Sequence, residues 1–378
     1  MMKTRFPCLL LAFALAISGC SIEIAQPSVE TPTSQPAALP PTNSAVGAAS
    51  NPSPGTTQIP VTWADLNLTG SLVSISPPIT GDVSYFISIR KLDLATGEIT
   101  PIFTTTGDDW IFYISVSPDA KQLVMSYTPP VQPGSPSNRA LYIMPLDATV
   151  PPQPLFAPVT LDDHYDQAEW SPDGKYIYYA HYNKNDQPAD QLYPAYDIFR
   201  MSYPHGVHEK ITDQAFWPRV SPDSSRLVYI SMDPGTGKNK IFVANADGSN
   251  AQEVALTGSW IPDIIDAPIF SPDGQSIMFS SLSPAQSYQP GWFEKLMGIQ
   301  VAKAHNIPSD WWSVPVAGGV PTRLTQLQTI NLFASISPDG QHIASLSGEG
   351  IFVMDVNGSN LTRLLVDPGV SGSLSWIP

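Results

Sequence analysis

The tripeptide Ser-Pro-Asp recurs five times along the chain, each time between two runs of β-forming residues. Proline fixes φ at about −65° and forces the residue before it into an extended conformation. Aspartate can accept a hydrogen bond from the backbone two residues further on. The motif therefore ends one strand and turns the chain into the next. The copies are VSPDAKQLVMS at 116–126, WSPDGKYIYYA at 170–180, VSPDSSRLVYIS at 220–231, FSPDGQSIMFS at 270–280 and ISPDGQHIASLS at 336–347.

The fourth position of the motif differs between the copies. Glycine occupies it at 174, 274 and 340, whereas Ala120 and Ser224 stand there in the other two. Glycine adopts a positive φ without steric cost, but alanine and serine do not. The sequence therefore predicts that a positive φ is not required in every copy.

A second pair of strands follows each hairpin. The segments at 239–257 and 349–367 each contain two β-rich runs, joined by the turn-forming sequences ADGSN and VNGSN. The prolines of successive motifs lie 50–66 residues apart. Four antiparallel strands at roughly this repeat length are typical of a blade of a β-propeller.

The end of the chain supplies the strand that the first blade lacks. In the final sequence SLSWIP, Trp376 and Pro378 match Trp170 and Pro172 of the motif. The three strands that should follow lie at the beginning, at 72–76, 83–94 and 98–104. We therefore predict an all-β fold: a six-bladed β-propeller of four-stranded antiparallel blades, closed by the C-terminal strand joining the N-terminal blade.

The repeated motif and this closure resemble the TolB-type β-propeller repeat, which is related to the WD-repeat propellers. The resemblance covers about residues 66–378. It implies a propeller that serves as an interaction platform. The motif is specific for the fold and not for the function, because such propellers host many activities.

The N-terminus has the features of a bacterial lipoprotein. Residues 1–19 combine Lys3 and Arg5 with an apolar run at 8–17, as a signal peptide does. The sequence ISGC at 17–20 resembles a lipobox, which implies cleavage before Cys20 and its lipidation. The alternative is an ordinary secretory signal that happens to contain Cys20.

Residues 20–60 are expected to be a lipidated cysteine followed by a disordered tether, which leaves 61–378 for the propeller domain. The segment 21–60 contains eight prolines, no aromatic residue and no Lys or Arg. Such a composition buries too little apolar surface to offset the entropy of ordering. We expect a protein of the cell envelope, lipid-anchored and exposed outside the cytoplasm. Because Ser21 is not Asp, the lipoprotein resemblance implies the outer membrane, where the cell has one.

Composition excludes several classes of function. The formal net charge of −15 disfavours nucleic acid as a partner, since phosphates would be repelled. Cys8 leaves with the signal and Cys20 is lipidated, so neither catalysis nor zinc binding by cysteine is expected. P-loop, HExxH and EF-hand motifs do not occur in the sequence. We expect no cofactor and no metal.

The loops opposite the Ser-Pro-Asp turns depart most from the repeat, and irregular loops on a regular scaffold often carry function. We call this end the top face. The loops there that join the last strand of one blade to the first strand of the next contain acids and aromatic residues, which would suit a cationic segment or sugar rings. The candidate ligand-binding residues are Asp108, Asp109, Trp110, Asp163, His164, Asp166, Trp260, Asp263, Trp292 and Phe293.

The insertion at 282–309 has apolar residues at helical spacing, beginning with Trp292 and Phe293 and ending before Pro308. A lid over the top of the ring fits this pattern, and so does a helix that docks on a partner or touches the membrane. Packing against its own propeller is a further alternative.

The sequence favours a noncatalytic binding platform for a protein, peptide or envelope polymer. The alternative is a polysaccharide-acting enzyme, a lyase or a hydrolase, with its site at the mouth of the channel. Asp163, His164 and Asp166 would be its candidate residues. The expected partners are the membrane, through the N-terminal lipid, and a protein or peptide, with a polysaccharide as a further option.

Overall fold

The structure is a computed structural model of the 378-residue chain. It describes residues 62–76, 87–130, 138–156, 160, 162–186, 195–204, 206–232, 238–262, 264–283, 308–367 and 372–378. The predicted signal peptide, Cys20 and the tether lie outside the described residues. So does most of the insertion at 282–309.

The described strands form six sheets of four antiparallel strands each, which we call blades 1 to 6. Blade 1 contains β1 (Ser71–Ser76), β2 (Ser88–Asp93), β3 (Ile99–Thr104) and the last strand, β24 (Leu374–Ile377). Blade 2 contains β4 (Trp110–Val116), β5 (Gln122–Thr128), β6 (Ala140–Pro145) and β7 (Gln153–Pro154). Blade 3 contains β8 (Asp163–Trp170), β9 (Tyr176–Asn183), β10 (Asp197–Ser202) and β11 (His208–Thr212).

Blades 4 to 6 repeat this plan. Blade 4 contains β12 (Ala215–Val220), β13 (Arg226–Met232), β14 (Asn239–Asn245) and β15 (Gln252–Glu253). Blade 5 contains β16 (Ile265–Phe270), β17 (Ser276–Leu282), β18 (Ser309–Pro315) and β19 (Thr322–Arg323). Blade 6 contains β20 (Phe333–Ile336), β21 (His342–Ser347), β22 (Gly350–Asp355) and β23 (Thr362–Val366). Two short 3-10 helices lie at Trp63–Leu66 and Lys184–Asp186.

The predicted ring closure is confirmed. β24 pairs with β1 in antiparallel register, from Ser71 opposite Ile377 to Ser74 opposite Leu374. The indole Nε1 of Trp376 donates a hydrogen bond to the carbonyl oxygen of Thr69 at 3.0 Å. The fold is therefore the predicted all-β, six-bladed propeller, and its first blade joins the two ends of the described chain.

We call the innermost strand of each blade strand A. These strands are β24, β4, β8, β12, β16 and β20. Each contacts strand A of the next blade, so the six strands surround the central channel. The second strands lie in the interior and are almost continuously buried, as in β1 and β5. The outermost strands are short and largely exposed, and β7 and β15 have only two residues each. Short outer strands limit edge-to-edge aggregation. Among the described residues, no helix is long and apolar enough to cross a membrane.

Candidate functional site

Each Ser-Pro-Asp turn is held by the same side-chain hydrogen bonds. In blade 5, Ser271 Oγ donates to Asp273 Oδ1 at 2.6 Å and accepts from the backbone N–H of Ser276 at 2.9 Å. Asp273 Oδ1 also accepts from the N–H of Gln275 at 3.0 Å. These bonds, led by that from Ser271, lower the pKa of Asp273. The serine-to-aspartate bond recurs in all five copies, so the motif aspartates stabilise the turns.

The prediction about the fourth position of the motif was wrong. Ala120 and Ser224 adopt φ values of 55° and 61°, in the same left-handed region as the three glycines at this position. The N–H of Ala120 donates to the carbonyl oxygen of Ser117 at 2.8 Å, and Ser224 makes the equivalent bond to Ser221. The hydrogen bonds of the turn impose the positive φ, whichever residue occupies the position.

We expect opposite effects from two substitutions at this position. Ala120→Gly should raise the free energy of unfolding by up to about 1 kcal/mol, because it relieves a left-handed alanine. Gly340→Ala should lower it by about 1–2 kcal/mol, since φ there is 71° and the new Cβ would lie 3.3 Å from Pro272 Cβ. Denaturant-induced unfolding measures both. Shifts of the same sign would contradict this account.

The motif turns surround a cavity at one end of the central channel, which we call the cup. Its volume is about 1090 Å³, and all six blades contribute lining residues. Because every blade contributes, the cup exists only in the closed ring. It lies at the end of the channel opposite the predicted top face. Its outer part is lined by prolines at the same position of each blade: Pro118, Pro172, Pro222, Pro272, Pro338 and Pro378.

In half of the inner wall of the cup, serine side chains accept hydrogen bonds from the inward N–H groups of strand A. Strand A is an edge strand, so its inward N–H groups have no neighbouring strand to bond to. In three blades, a serine of the preceding strand A accepts a hydrogen bond from such an N–H. The pairs are Val116 N–H to Ser375 Oγ at 3.2 Å, Trp170 N–H to Ser115 Oγ at 3.1 Å, and Trp376 N–H to Ser335 Oγ at 3.0 Å.

The other half of the wall lacks these serines, because Glu169, Arg219 and Ile269 occupy the equivalent positions. In every blade with the motif, the N–H of the motif serine bonds to the second strand of its own blade. The N–H one residue earlier therefore points inward. This places the N–H groups of Val220, Phe270 and Ile336 on the cup, and no described side chain accepts a hydrogen bond from them. We call these three groups the open amides.

An ion pair lies in this half of the cup. Arg219 Nη1 is 2.5 Å from Glu169 Oε2, and the two side chains are 12% and 24% exposed. Burial raises the pKa of Glu169, while Arg219 and a hydrogen bond from Ser115 oppose that rise. The pair joins blades 3 and 4 and gives the cup a polar side.

Three aromatic rings fill the channel behind the cup. Tyr113, Trp217 and Phe333 occupy the same position of strand A in blades 2, 4 and 6. The Trp217 ring centroid lies 5.1 Å from that of Tyr113 and 5.3 Å from that of Phe333. Gln167, Ala267 and Ser373 occupy this position in the alternate blades, so large and small side chains alternate around the axis. We call the three rings the aromatic plug.

Two of the predicted ligand-binding acids hold their own loops. Asp109 accepts hydrogen bonds from the N–H of Thr106 at 2.5 Å and from the hydroxyl of Tyr127 at 2.7 Å. Asp163 contacts the N–H of Thr160 and the side chains of His181 and Asn183 in the same way. Both carboxylates are buried, and both tie the loop before strand A to the second strand of the blade.

A third predicted acid, Asp166, lies on β8, the strand A of blade 3, and is buried. It forms an ion pair with Arg139, whose guanidinium carbon is 3.4 Å from the centre of the Phe112 ring. Burial raises the pKa of Asp166 to about 6, although Arg139 opposes the shift. This acid is thus close to half protonated at mildly acidic pH.

This raised pKa predicts a pH dependence of stability. Between the ordinary value of 3.8 and about 6, the folded protein binds more protons at Asp166 than the unfolded chain does. The contribution of Asp166 to the free energy of unfolding should therefore fall as pH rises from 4 to 6, by on the order of 1–3 kcal/mol, whereas aspartates of lowered pKa such as Asp273 contribute in the opposite direction. Denaturant unfolding at each pH should show that the stability of Asp166→Asn, relative to the parent chain, rises by this amount between pH 4 and pH 6. An unchanged slope would contradict the assignment to Asp166.

The remaining predicted residues occupy separate settings. Asp108 and Trp110 are exposed at the start of blade 2. The His164 ring stacks on Tyr182 at 4.6 Å, and Trp260 stacks on Trp312 at 4.1 Å. Asp263, Trp292 and Phe293 lie outside the described residues. Within the described part of the chain, no three His, Cys, Asp or Glu side chains are grouped closely enough to hold a metal ion.

No protein-family model matches the sequence. TolB from Acinetobacter baumannii is similar in structure, with a TM-score of 0.55 and 15% identity over 82% of this chain and 67% of that one. A putative TolB from Agrobacterium tumefaciens gives 0.52 and 17%, over 82% and 99%. A chain of a nidogen/laminin complex gives 0.50 and 12%, over 81% and 97%. These likenesses show a TolB-type propeller fold.

Proposed function

We propose that this protein is a noncatalytic binding platform that holds a segment of a partner protein in the cup. The observation that carries the proposal is a cavity of about 1090 Å³ at the centre of a closed ring, lined by all six blades. A site of this size can enclose several side chains of a ligand. The aromatic plug behind it makes the site a cup with one mouth.

The chemistry of the cup favours binding over catalysis. Its most buried charges, Glu169 and Arg219, neutralise each other at 2.5 Å. The prolines and the rings of Trp170, Phe270 and Trp376 supply apolar surface. A concave site with much apolar surface and few polar groups is typical of ligand recognition. The likeness to a chain of a nidogen/laminin complex also supports a propeller that binds a protein.

The enzymatic alternative is weaker on the same grounds. Its candidates Asp163 and Asp166 are engaged by neighbouring side chains, Asp163 by His181 and Asn183 and Asp166 by Arg139. A general acid or base must be able to exchange its proton with a substrate. The contacts of these two carboxylates therefore favour binding over catalysis.

The proposed location is the cell envelope, with Cys20 carrying a lipid anchor. The support is the ISGC sequence after a short apolar run and the proline-rich segment up to residue 60. Mass spectrometry of the N-terminal peptide from cells tests this point. An unmodified Cys20 would leave an ordinary secreted protein.

A blocking substitution at the mouth of the cup tests the binding function. Val356 lines the cup and is 36% exposed, so Val356→Trp fills the mouth without disturbing the core. Val320→Trp is the matched control, because Val320 is an exposed valine near an equivalent turn of blade 5 and does not line the cup. We expect proteins captured from envelope extracts by the full chain to be lost with Val356→Trp and kept with Val320→Trp.

The same capture includes a variant of the predicted top face, Trp110→Ala. Loss of the captured protein with Trp110→Ala and its retention with Val356→Trp would overturn the cup as the site. Retention by all three variants would overturn binding through the channel altogether. Thermal unfolding of each variant verifies that the propeller is intact.

A further inference from the structure

We infer that the cup selects an extended peptide segment carrying a basic side chain, with the carboxylates of Asp273 and Asp339 as its charge partners. This inference rests on the proposed binding function and names the chemistry of the partner. The two carboxylates belong to the lining of the cup, in blades 5 and 6.

These two aspartates differ from their equivalents in other blades. Asp119 and Asp173 form ion pairs with Lys121 at 3.3 Å and Lys175 at 3.0 Å. In blades 5 and 6, Gln275 and Gln341 replace the lysine. Within the described part of the chain, neither Asp273 nor Asp339 has an ion-pair partner. Their own turn bonds, led by those from the motif serines, lower the pKa of both, so they are ionised at neutral pH.

The net charge of the lining follows from its ionisable residues. Glu169, Asp273 and Asp339 are acidic, and Arg219 is basic and already bound to Glu169. A further cation, Arg226, lies outside the lining. Its guanidinium donates to the carbonyl oxygen of Gly274 at 2.7 Å and sits 5.2 Å from the centre of the Phe270 ring. The mouth of the cup therefore attracts cations and repels anions.

The walls of the cup suit the rest of a basic side chain. Lysine and arginine carry long apolar stems, which pack against apolar surface while the charged end reaches a polar partner. Trp170, Phe270 and Trp376 line the cup together with the six prolines. Aromatic faces also attract an ammonium or guanidinium group directly.

The open amides indicate a peptide rather than a free amine. Val220, Phe270 and Ile336 each direct a backbone N–H into the cup, on the side where Asp273 and Asp339 also lie. Backbone carbonyl groups of an extended peptide are suitable acceptors for such donors on an edge strand. A small amine would pair with the carboxylates, but it has no carbonyl group to accept hydrogen bonds from the open amides.

The tether of this chain does not fit the description. Residues 21–60 contain no Lys and no Arg. The tether is therefore not the basic segment, and the occupant that we propose is a segment of another protein.

Peptide arrays probed with the full chain test the inference. The probes are capped hexapeptides with varied flanks, in which one central residue is lysine, arginine, norleucine or glutamate. Capping removes the terminal charges, so the central side chain supplies the charge. We expect the lysine and arginine series to bind and the norleucine and glutamate series not to bind. Fluorescence anisotropy then gives the Kd of the best labelled peptide.

The double variant Asp273→Asn, Asp339→Asn identifies the charge partners. Asparagine keeps the oxygen that accepts the turn hydrogen bonds and removes only the charge. The control is Asp119→Asn, Asp173→Asn, which removes the same number of charges at the same motif position outside the cup lining. We expect the Kd of the peptide to rise about tenfold or more in Asp273→Asn, Asp339→Asn, which we call the cup variant. In the control we expect Kd to change by less than about twofold.

Four results would overturn the inference. If norleucine peptides bind as tightly as lysine peptides, the cup is an apolar site. If the two double variants lose the same affinity, the effect comes from the net charge of the protein. If 1,5-diaminopentane binds as tightly as the peptide, the open amides do not contribute to binding. If Val356→Trp abolishes capture of a partner but the cup variant does not, the proposed function stands and this inference fails.

Discussion

Replacing Trp217 with alanine is expected to lower the free energy of unfolding by about 3–5 kcal/mol. Trp217 is 2% exposed, and its ring contacts Tyr113 and Phe333 from two other blades. The cavity left behind cannot collapse easily, because its walls are strands whose positions are fixed by the ring. Denaturant-induced unfolding followed by circular dichroism measures the change.

Trp110→Ala is the control for this experiment, because Trp110 is 43% exposed. We expect its effect to stay below about 0.5 kcal/mol, as for most surface substitutions. If both variants lower the free energy of unfolding by the same small amount, the aromatic plug does not stabilise the ring in the way that its packing indicates.

Removing residues 373–378 should have the largest effect, the loss of cooperative folding. β1 would lose β24, one of its two neighbouring strands, although all six residues of β1 are buried in the intact ring. The truncation also removes Ser373 and Ser375, which accept hydrogen bonds from the N–H groups of Ile114 and Val116 in blade 2. An open sheet edge of this kind promotes aggregation. Circular dichroism and size-exclusion chromatography of the truncated chain measure the outcome.

A milder variant separates closure from simple loss of burial. Pro378→Ala leaves β24 and its pairing with β1 intact, so we expect nearly the full stability of the parent chain. A truncated protein that unfolds in one transition at the parent midpoint would show that the ring does not need β24.

The fold could be predicted from the sequence because its signals are local. Each Ser-Pro-Asp turn fixes the end of one strand and the start of the next, and its five copies give the blade repeat. The closure followed from the match of Trp376 and Pro378 to the motif, which requires no distance information. The left-handed Ala120 and Ser224 were missed because the preference of each residue for its own φ is weaker than the hydrogen bonds of the turn.

The cup was missed because it depends on distances between blades. Glu169 and Arg219 occupy the same motif position in successive copies, and this alignment is the signal that could have identified their contact. The acidic residues in the sequence instead predicted a binding site in the loops of the top face. There Asp109 and Asp163 resemble ligand-binding acids in the sequence, yet their oxygens accept hydrogen bonds from the loops that carry them. A count of acids does not reveal which of them already have partners.

The pairing of β24 with β1 also sets the order of events during synthesis. Trp376 and its hydrogen-bond partner Thr69 are 307 positions apart in the chain. Contacts of such long range slow folding, and the ribosome makes the chain from its N-terminal end. Blade 1 is begun first and can be finished only when β24 has left the ribosome. Until then, the nascent chain exposes an unpaired edge on each side of the gap, and such edges promote aggregation.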